Sequence, residues 1–433
     1  MRRIRTLAAL LALSAAGALA EEIPNQPYTP PPTPEEIPQE GAAQGHVPLI
    51  ARWLLHPISN GMFVNVPVVG TDPNRGPTAG IMPIWVIRNK NSDTIKEIFA
   101  PSFTHNSYYG YNGTMRYYYY PYPEAELLVD GVLSTTIERE VQGIYQDTNF
   151  LNKKINLYAR VRWGSDGDLR FYGFGPDSPQ SAQANYAKTE TDFNFLIGPP
   201  VIPKSDWKVQ FYEDFSSTFL NDFKLPGLQD MTTEFPGMLH RYAKQDNETG
   251  LSLLYNSRDN PITTGRGAYL NLQADVSSRH FASSYNYQRY IVDGRVFHPL
   301  KSHPDQTLAV QAQFQQVMGA APIWNMPYLG GKYSLRAYGN WRYIDNGMFS
   351  FNVEDRYTFK RMKMAGVTSS FELAPFAGLG TVFPTLASTQ VKYLRPVVGA
   401  AVRAVVKPEV VGSIDVGIGQ EGPAVFTDIN YSF

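Results

Sequence analysis

Residues 424–433 read A-V-F-T-D-I-N-Y-S-F and close the chain. In an extended strand successive side chains point to opposite faces. Val425, Thr427, Ile429, Tyr431 and Phe433 then share one face, and Phe426, Asp428, Asn430 and Ser432 share the other. One face is mostly apolar and the other mostly polar. Such a strand belongs either to the edge of a soluble sheet or to the wall of a membrane barrel, and the rest of the chain decides between them.

The same period of two recurs upstream. Ile155, Leu157, Ala159, Val161 and Trp163 oppose Asn156, Tyr158, Arg160 and Arg162. Leu270, Leu272, Ala274 and Val276 oppose Tyr269, Asn271, Gln273 and Asp275, while Leu308, Val310, Ala312 and Phe314 oppose Ala309, Gln311, Gln313 and Gln315. About ten tilted residues cross the hydrocarbon of a bilayer, and only a closed barrel satisfies every strand's backbone there. The apolar faces then meet lipid, and the Arg and Gln line a wet lumen. Segments of this kind recur from 78–88 and 95–105 through 125–137 and 151–163 to 394–406, 410–419 and 424–433. They amount to about sixteen, an even number as single-chain bacterial barrels have. The fold expected is all-β, a transmembrane antiparallel β-barrel. A terminal strand ending in an aromatic resembles the last strand of bacterial outer-membrane barrels, which implies that Tyr431 and Phe433 serve as a C-terminal assembly signal.

The other end agrees. Arg2, Arg3 and Arg5 precede a run of small and apolar residues, and Ala18 and Ala20 form an Ala-x-Ala cleavage site, so residues 1–20 read as a secretory signal. Residues 21–60 read as a Pro-rich, acidic periplasmic lead, and 61–433 as the barrel. The 38 Lys and Arg lose three with the signal and the 39 acids lose none, which leaves a formal charge of −4. That balance argues against nucleic-acid binding, which needs basic surface. With Cys 0, disulfides, thiol chemistry and a lipid-anchored N-terminal cysteine are excluded. Tyr117 to Tyr120 and Tyr122 read as part of an interfacial aromatic girdle, with a sugar-stacking platform as the alternative. The longest gaps between strands, 164–185, 218–248 and 318–345, all fall on one side, where the outer loops of a barrel lie.

The last of these gaps carries Leu329-Gly330-Gly331 and then Leu335-Arg336-Ala337-Tyr338. It resembles the sixth outer loop of the BamA/TamA superfamily, the bacterial surface antigen family. The runs P-V-V-G-T-D-P-N-R-G from Pro67, Phe171 to Ser178 (F-Y-G-F-G-P-D-S) and Asn256 to Pro261 (N-S-R-D-N-P) resemble further segments of that family. The resemblance implies that the loop folds back into the lumen, where its arginine pairs with an acid on the wall. Ala337 stands where the family motif has Gly. Gly378, within Phe376-Ala377-Gly378-Leu379-Gly380, stands where the family's strand carries that acid. Arg336 therefore needs another partner, because a guanidinium inside a barrel is costly without one. Glu354, on the inward face set by Ser350, Asn352 and Arg356, and Glu372 are the candidates.

No G-x-S-x-G elbow, H-E-x-x-H helix or P-loop is present. His298 and His303 lack an evident third ligand and read as turn residues rather than a metal site. No catalytic residue, metal or cofactor is expected. The resemblance implies a barrel-only member without the soluble polypeptide-transport-associated repeats, monomeric in the outer membrane. Its partners would be outer-membrane lipids, periplasmic assembly factors and client proteins, and its work the assembly or translocation of protein or lipid. The alternatives are a passive pore for small polar solutes and a surface or structural binding protein.

Overall fold

The computed structural model describes residues 55–433 apart from 72, 91–94, 123, 203–204, 240–241, 261–262, 301–302, 365–366, 407–409 and 430. The expected signal and most of the expected Pro-rich lead lie outside the described residues. No helix of the described residues is long and apolar enough to cross a membrane. The chain instead forms one antiparallel wall of strands, each paired with its neighbours in sequence.

The wall opens with β1 (Gly61–Gly70), β2 (Thr78–Arg88), β3 (Ile95–Phe99 continued by Ser102–Asn106), β4 (Gly110–Tyr122), β5 (Ala125–Ser134) and β6 (Arg139–Phe150). It continues with β7 (Ile155–Phe171), β8 (Ala184–Gly198), β9 (Trp207–Asp222), β10 (Lys244–Asn256), β11 (Gly267–Ser277) and β12 (Asn286–Leu300). It ends with β13 (His303–Ala320), β14 (Gly347–Met364), β15 (Val367–Phe383), β16 (Arg395–Val406), β17 (Val410–Gly419) and β18 (Gly422–Ile429). That makes eighteen wall strands among the described residues, against the sixteen expected. The two additional strands are β1 and β6. Pro67 and the glycines around it read as turn, and β6 carries little apolar alternation in R-E-V-Q-G-I-Y-Q-D-T-N-F. The two omissions cancel in parity. The long loops 172–183, 223–243 and 321–346 therefore still fall on one side.

The alternation read from the sequence is the alternation observed. Val161 and Trp163 are exposed on the outside of β7, while Arg160 and Arg162 point inward to ion pairs with Asp192, Glu140 and Glu190. Leu272 and Val276 face out from β11, and Asn271, Gln273 and Asp275 are buried within. Val310 faces out from β13, and Gln311 and Gln313 lie inside. The inward polar residues pack mostly against one another. Arg289, for example, is buried between Glu248 and Asp275. The interior is thus largely filled with paired charge rather than open. Tyr117 is exposed on the outer face of β4 near its periplasmic end, where a girdle sits, and Tyr118 points inward. His298 and His303 are exposed near the facing ends of β12 and β13.

The wall closes weakly. Between β1 and β18 the described residues show a single bridge, Thr71 with Thr427, in which the Thr427 N–H donates to the Thr71 carbonyl at 2.9 Å. Every other neighbouring pair of wall strands is held by a ladder of many registered residues. The strands at the seam are also short, 10 residues in β1 and 8 in β18, against 18 in β13 and in β14. Residues 55–58, the end of the expected lead, form an arm that pairs with β1 from Leu55–Val64 to Ile58–Gly61.

Candidate functional site: a loop and the chain terminus locked in the lumen

The loop between β13 and β14 enters the barrel and is buried almost throughout. A two-strand ladder, Tyr328–Leu329 with Tyr343–Ile344, holds its base. At its tip the Gly331 N–H donates to the Tyr338 carbonyl at 2.8 Å, and the Leu335 N–H donates to the Gly331 carbonyl at 3.2 Å. Gly331 has φ of 86°, and a Cβ there would lie 1.7 Å from Asn340 Oδ1, so only glycine fits this turn.

One side of the loop packs on β15 and β16. Leu329, Leu335, Ala337, Tyr338 and Tyr343 share a core with Met348, Phe376, Val382 and Val397. Trp324 and Ile344 reach the other side of the lumen and pack with Leu169, Phe171, Tyr186 and Leu220. A strip of glycine makes room on β17. A Cβ on Gly417 would lie 1.7 Å from the Arg336 carbonyl oxygen, and one on Gly419 would lie 2.9 Å from the Ala337 Cβ. The Tyr338 hydroxyl accepts from the Gln420 N–H at 3.1 Å, and burial pushes its pKa above the ordinary phenol value, so it stays neutral.

Arg336 lies at the centre. Its Nη1 donates to Glu354 Oε2 at 2.7 Å and to Asp415 Oδ2 at 2.9 Å, and its guanidinium sits 3.6 Å over the Phe376 ring. Glu354 also accepts from Arg356 Nε at 2.8 Å and from Arg403 at 2.6 and 2.8 Å. Of the two acids expected, Glu354 is the partner and Glu372 is not. Glu372 instead accepts from the Tyr431 hydroxyl at 2.8 Å. Arg356, read from the sequence only as inward-facing, completes the cluster with Asp415 and Arg403, which were not singled out. Their signal is period two: Ser413, Asp415 and Gly417 share the inward face of β17, and Ala401, Arg403 and Val405 share that of β16. Gly378 is explained by crowding, because a Cβ there would lie 2.5 Å from Asn352 Oδ1 and 3.4 Å from Leu335. The site that would have held an acid is filled by the loop's leucine. The charge comes from the next strand, where Glu354 stands opposite Phe376.

The chain terminus is the second element of the site, and here the alternation expected through Phe433 breaks. β18 ends at Ile429, and Tyr431, Ser432 and Phe433 turn into the lumen and are buried. Arg356 Nη2 donates to the Phe433 carboxyl oxygen at 2.7 Å, and Arg356 and Arg403 lie 3.8 and 4.8 Å over the Tyr431 ring. Ser432 Oγ donates to Asp415 at 3.2 Å. Phe433 packs on Phe297 and Ala309. These contacts take the place of the ladder that an extended run to Phe433 would make along the seam.

Two of the three stretches singled out in the sequence meet the loop. Arg342 pairs with Glu421 at 2.6 Å, donates to the Ser178 carbonyl at 2.9 Å and covers Tyr172. The Gly175 N–H donates to the Ile344 carbonyl at 2.9 Å. Asn74 Nδ2 donates to the Asn340 carbonyl at 3.2 Å, and Arg170 holds the Asn74 carbonyl at 2.6 Å. The N-S-R-D-N-P stretch starts at the last residue of β10 and lies apart from the loop, and the Thr264 carbonyl beyond it accepts from Arg356 at 3.5 Å. Among the described residues no group of three or more His, Asp or Glu is placed to hold a metal.

Comparison with known proteins agrees with this architecture. A family model described as the Omp85 superfamily domain matches residues 133–403, more than half of the chain. Among solved structures, BamA from Haemophilus ducreyi lacking POTRA domains 1–3 is similar, with a TM-score of 0.53 and 13% identity over 85% of this chain and 74% of that one. CdiB from Escherichia coli aligns with a TM-score of 0.48 and 12% identity over 85% of this chain and 62% of that one. No curated protein matches the chain.

Proposed function

From the chain's membership of the Omp85 superfamily, an outer-membrane β-barrel family, we propose that the protein assembles or translocates protein or lipid across the outer membrane. The observation that carries this reading is the seam. Among the described residues one bridge joins the first and last strands. The chain terminus that would lengthen the pairing is turned inward and held by Arg356. An open strand edge presents unsatisfied N–H and C=O groups, which an incoming strand pairs with readily. The locked loop braces β14 to β17 and reaches Asn74 beyond β1, while the strands of the seam themselves share little pairing. The filled interior weighs against a passive pore, because inward charges such as Arg289, Glu248 and Asp275 are buried against one another.

The test is made in cells. The chain has no cysteine, so Thr71→Cys with Thr427→Cys forms one defined disulfide across the seam. On oxidation, newly made outer-membrane proteins or lipid should fall in the outer membrane, as they should on depletion of the protein, and reduction should restore them. Unchanged outer-membrane protein and lipid after depletion would overturn the proposal in favour of a surface or structural role.

A further inference from the structure

The outer face of β9 carries an acid where acyl chains are met. Gln210, Ser216 and Thr218 are buried on the inner face of this strand. Trp207, Val209 and Phe211 are exposed on the other side, and Glu213 shares their face by the period of two. Thr249 of β10 stands directly opposite Glu213, and its hydroxyl donates to Glu213 Oε2 at 2.7 Å. The second carboxyl oxygen meets no donor among the described residues. Glu213 also lies deep in the layer. Trp207, its ring centroid 4.9 Å from that of Tyr255, marks the periplasmic end of β9, the level of an aromatic girdle. From there a tilted strand climbs about 14 Å to Glu213, close to the middle of a hydrocarbon layer about 30 Å thick.

Rings surround this acid. Phe195 of β8 stands opposite Glu213, Phe193 pairs with Phe215, and Ile197 pairs with Phe211. From the β10 side Leu251 pairs with Phe211. Phe193, Phe211 and Leu251 are exposed on the outside of the wall. An acid that faces hydrocarbon is costly alone and implies a partner. Within the chain Thr249 gives it one hydrogen bond. Two features of this face call for the same group. A carboxyl oxygen without a donor takes a charged donor best, and aromatic rings attract a cation over their faces. A neutral donor answers only the first, and acyl chains answer neither.

We infer that the outer face of β8 to β10 is a docking surface for a second membrane-spanning protein, and that a lysine or arginine on the partner's lipid-facing side sits beside Glu213. Thr249 holds one carboxyl oxygen and leaves the other for the incoming cation. Phe193, Phe195, Phe211 and Phe215 form an apolar rim that shields the pair from lipid headgroups and water, as near-neutral contacts do around a hot spot. In hydrocarbon, where apolar contact alone gives little preference for protein over lipid, a polar pair of this kind selects the partner. The face lies half-way round the wall from the seam, since β9 is the middle strand of the wall, and it serves whether or not the seam opens.

The test uses full-length protein in proteoliposomes. Dicyclohexylcarbodiimide, which reaches carboxyl groups in hydrocarbon, should label Glu213, read by mass spectrometry of the digested protein, and a water-soluble carbodiimide should not. The probe is a synthetic membrane-spanning peptide of leucine and alanine, with tryptophan at both ends and one lysine at its centre. Its twin carries leucine in place of the lysine. The lysine peptide should lower labelling of Glu213 about fivefold, and the twin should leave it unchanged. Phe211→Ala with Phe215→Ala should weaken that protection. Equal labelling in the presence of the two peptides, or labelling by the water-soluble reagent, overturns the docking surface. A second measurement needs no peptide. Glu213→Leu should raise the temperature at which the purified barrel loses heat-modifiability, because it takes an incompletely paired acid off the lipid face. A lower temperature would assign Glu213 to the barrel's own stability and overturn its role in docking.

Discussion

Glu354 binds three guanidinium groups at once, those of Arg336, Arg356 and Arg403, and none of the four side chains is more than marginally exposed. Buried charge of this kind contributes only while every partner is present; removing one leaves the others unpaired in a poor solvent. Arg336→Ala should therefore cost about 3 kcal/mol and lower the temperature at which the barrel loses heat-modifiability. Glu354→Gln should cost more, because Arg336 and Arg403 then share one acid, Asp415, and Arg356 is left with the Phe433 and Thr264 oxygens. Glu372→Gln should cost only about 1 kcal/mol, since it loses a single hydrogen bond to Tyr431. Equal losses in the three variants, read by the same gel shift, would show that no charge lock exists. At this scale the alternation of β14 was enough to place Glu354 inward. It could not rank Glu354 over Glu372, because both point inward and only their distance along the barrel axis from Arg336 decides. Asp415 stayed hidden because it lies 79 residues from Arg336, and period two says which face a residue takes, not what it meets.

The loop and the terminus are elements held by fit rather than by hydrogen-bond ladders. Gly417 and Gly419 open the space that the backbone of Arg336 and the Ala337 side chain fill. Gly417→Ala should lift the tip off β17 without disturbing the wall, since β17 keeps its ladders with β16 and β18. Limited proteolysis should then cut within 332–338, where the wild-type loop resists, while heat-modifiability persists. Resistance equal to wild type would mean that the tip yields elsewhere. The glycine landing strip on β17 emerged only in the structure, while the docked loop was legible as a motif, Leu335-Arg336-Ala337-Tyr338. The inward turn of Tyr431 to Phe433 was not. Their alternation is as regular as that of any strand here, and only the cluster of Arg356, Arg403 and Glu372 across the lumen draws them off the seam.

Across the whole molecule the interior is tied together from both mouths, by the loop from outside and by the terminus from the periplasmic side, through the one cluster around Glu354. Purified protein in planar bilayers should accordingly carry little current, and deletion of residues 325–345 should raise its conductance severalfold. A steady current of the same size before and after deletion would point to a channel elsewhere in the barrel. The sequence by itself determined the class of fold, the lipid-facing and inward residues of nearly every strand, and the side on which the long loops lie. Those follow from a local rule, the period of two, and from the need to satisfy every backbone group in hydrocarbon. Only the tertiary structure decided the eighteen strands, the acids that hold Arg336, the terminus in the lumen and the arm beside the seam. Each of these depends on which residues, distant in the chain, closure of the wall brings within a few ångströms, and alternation along one strand carries no information about that.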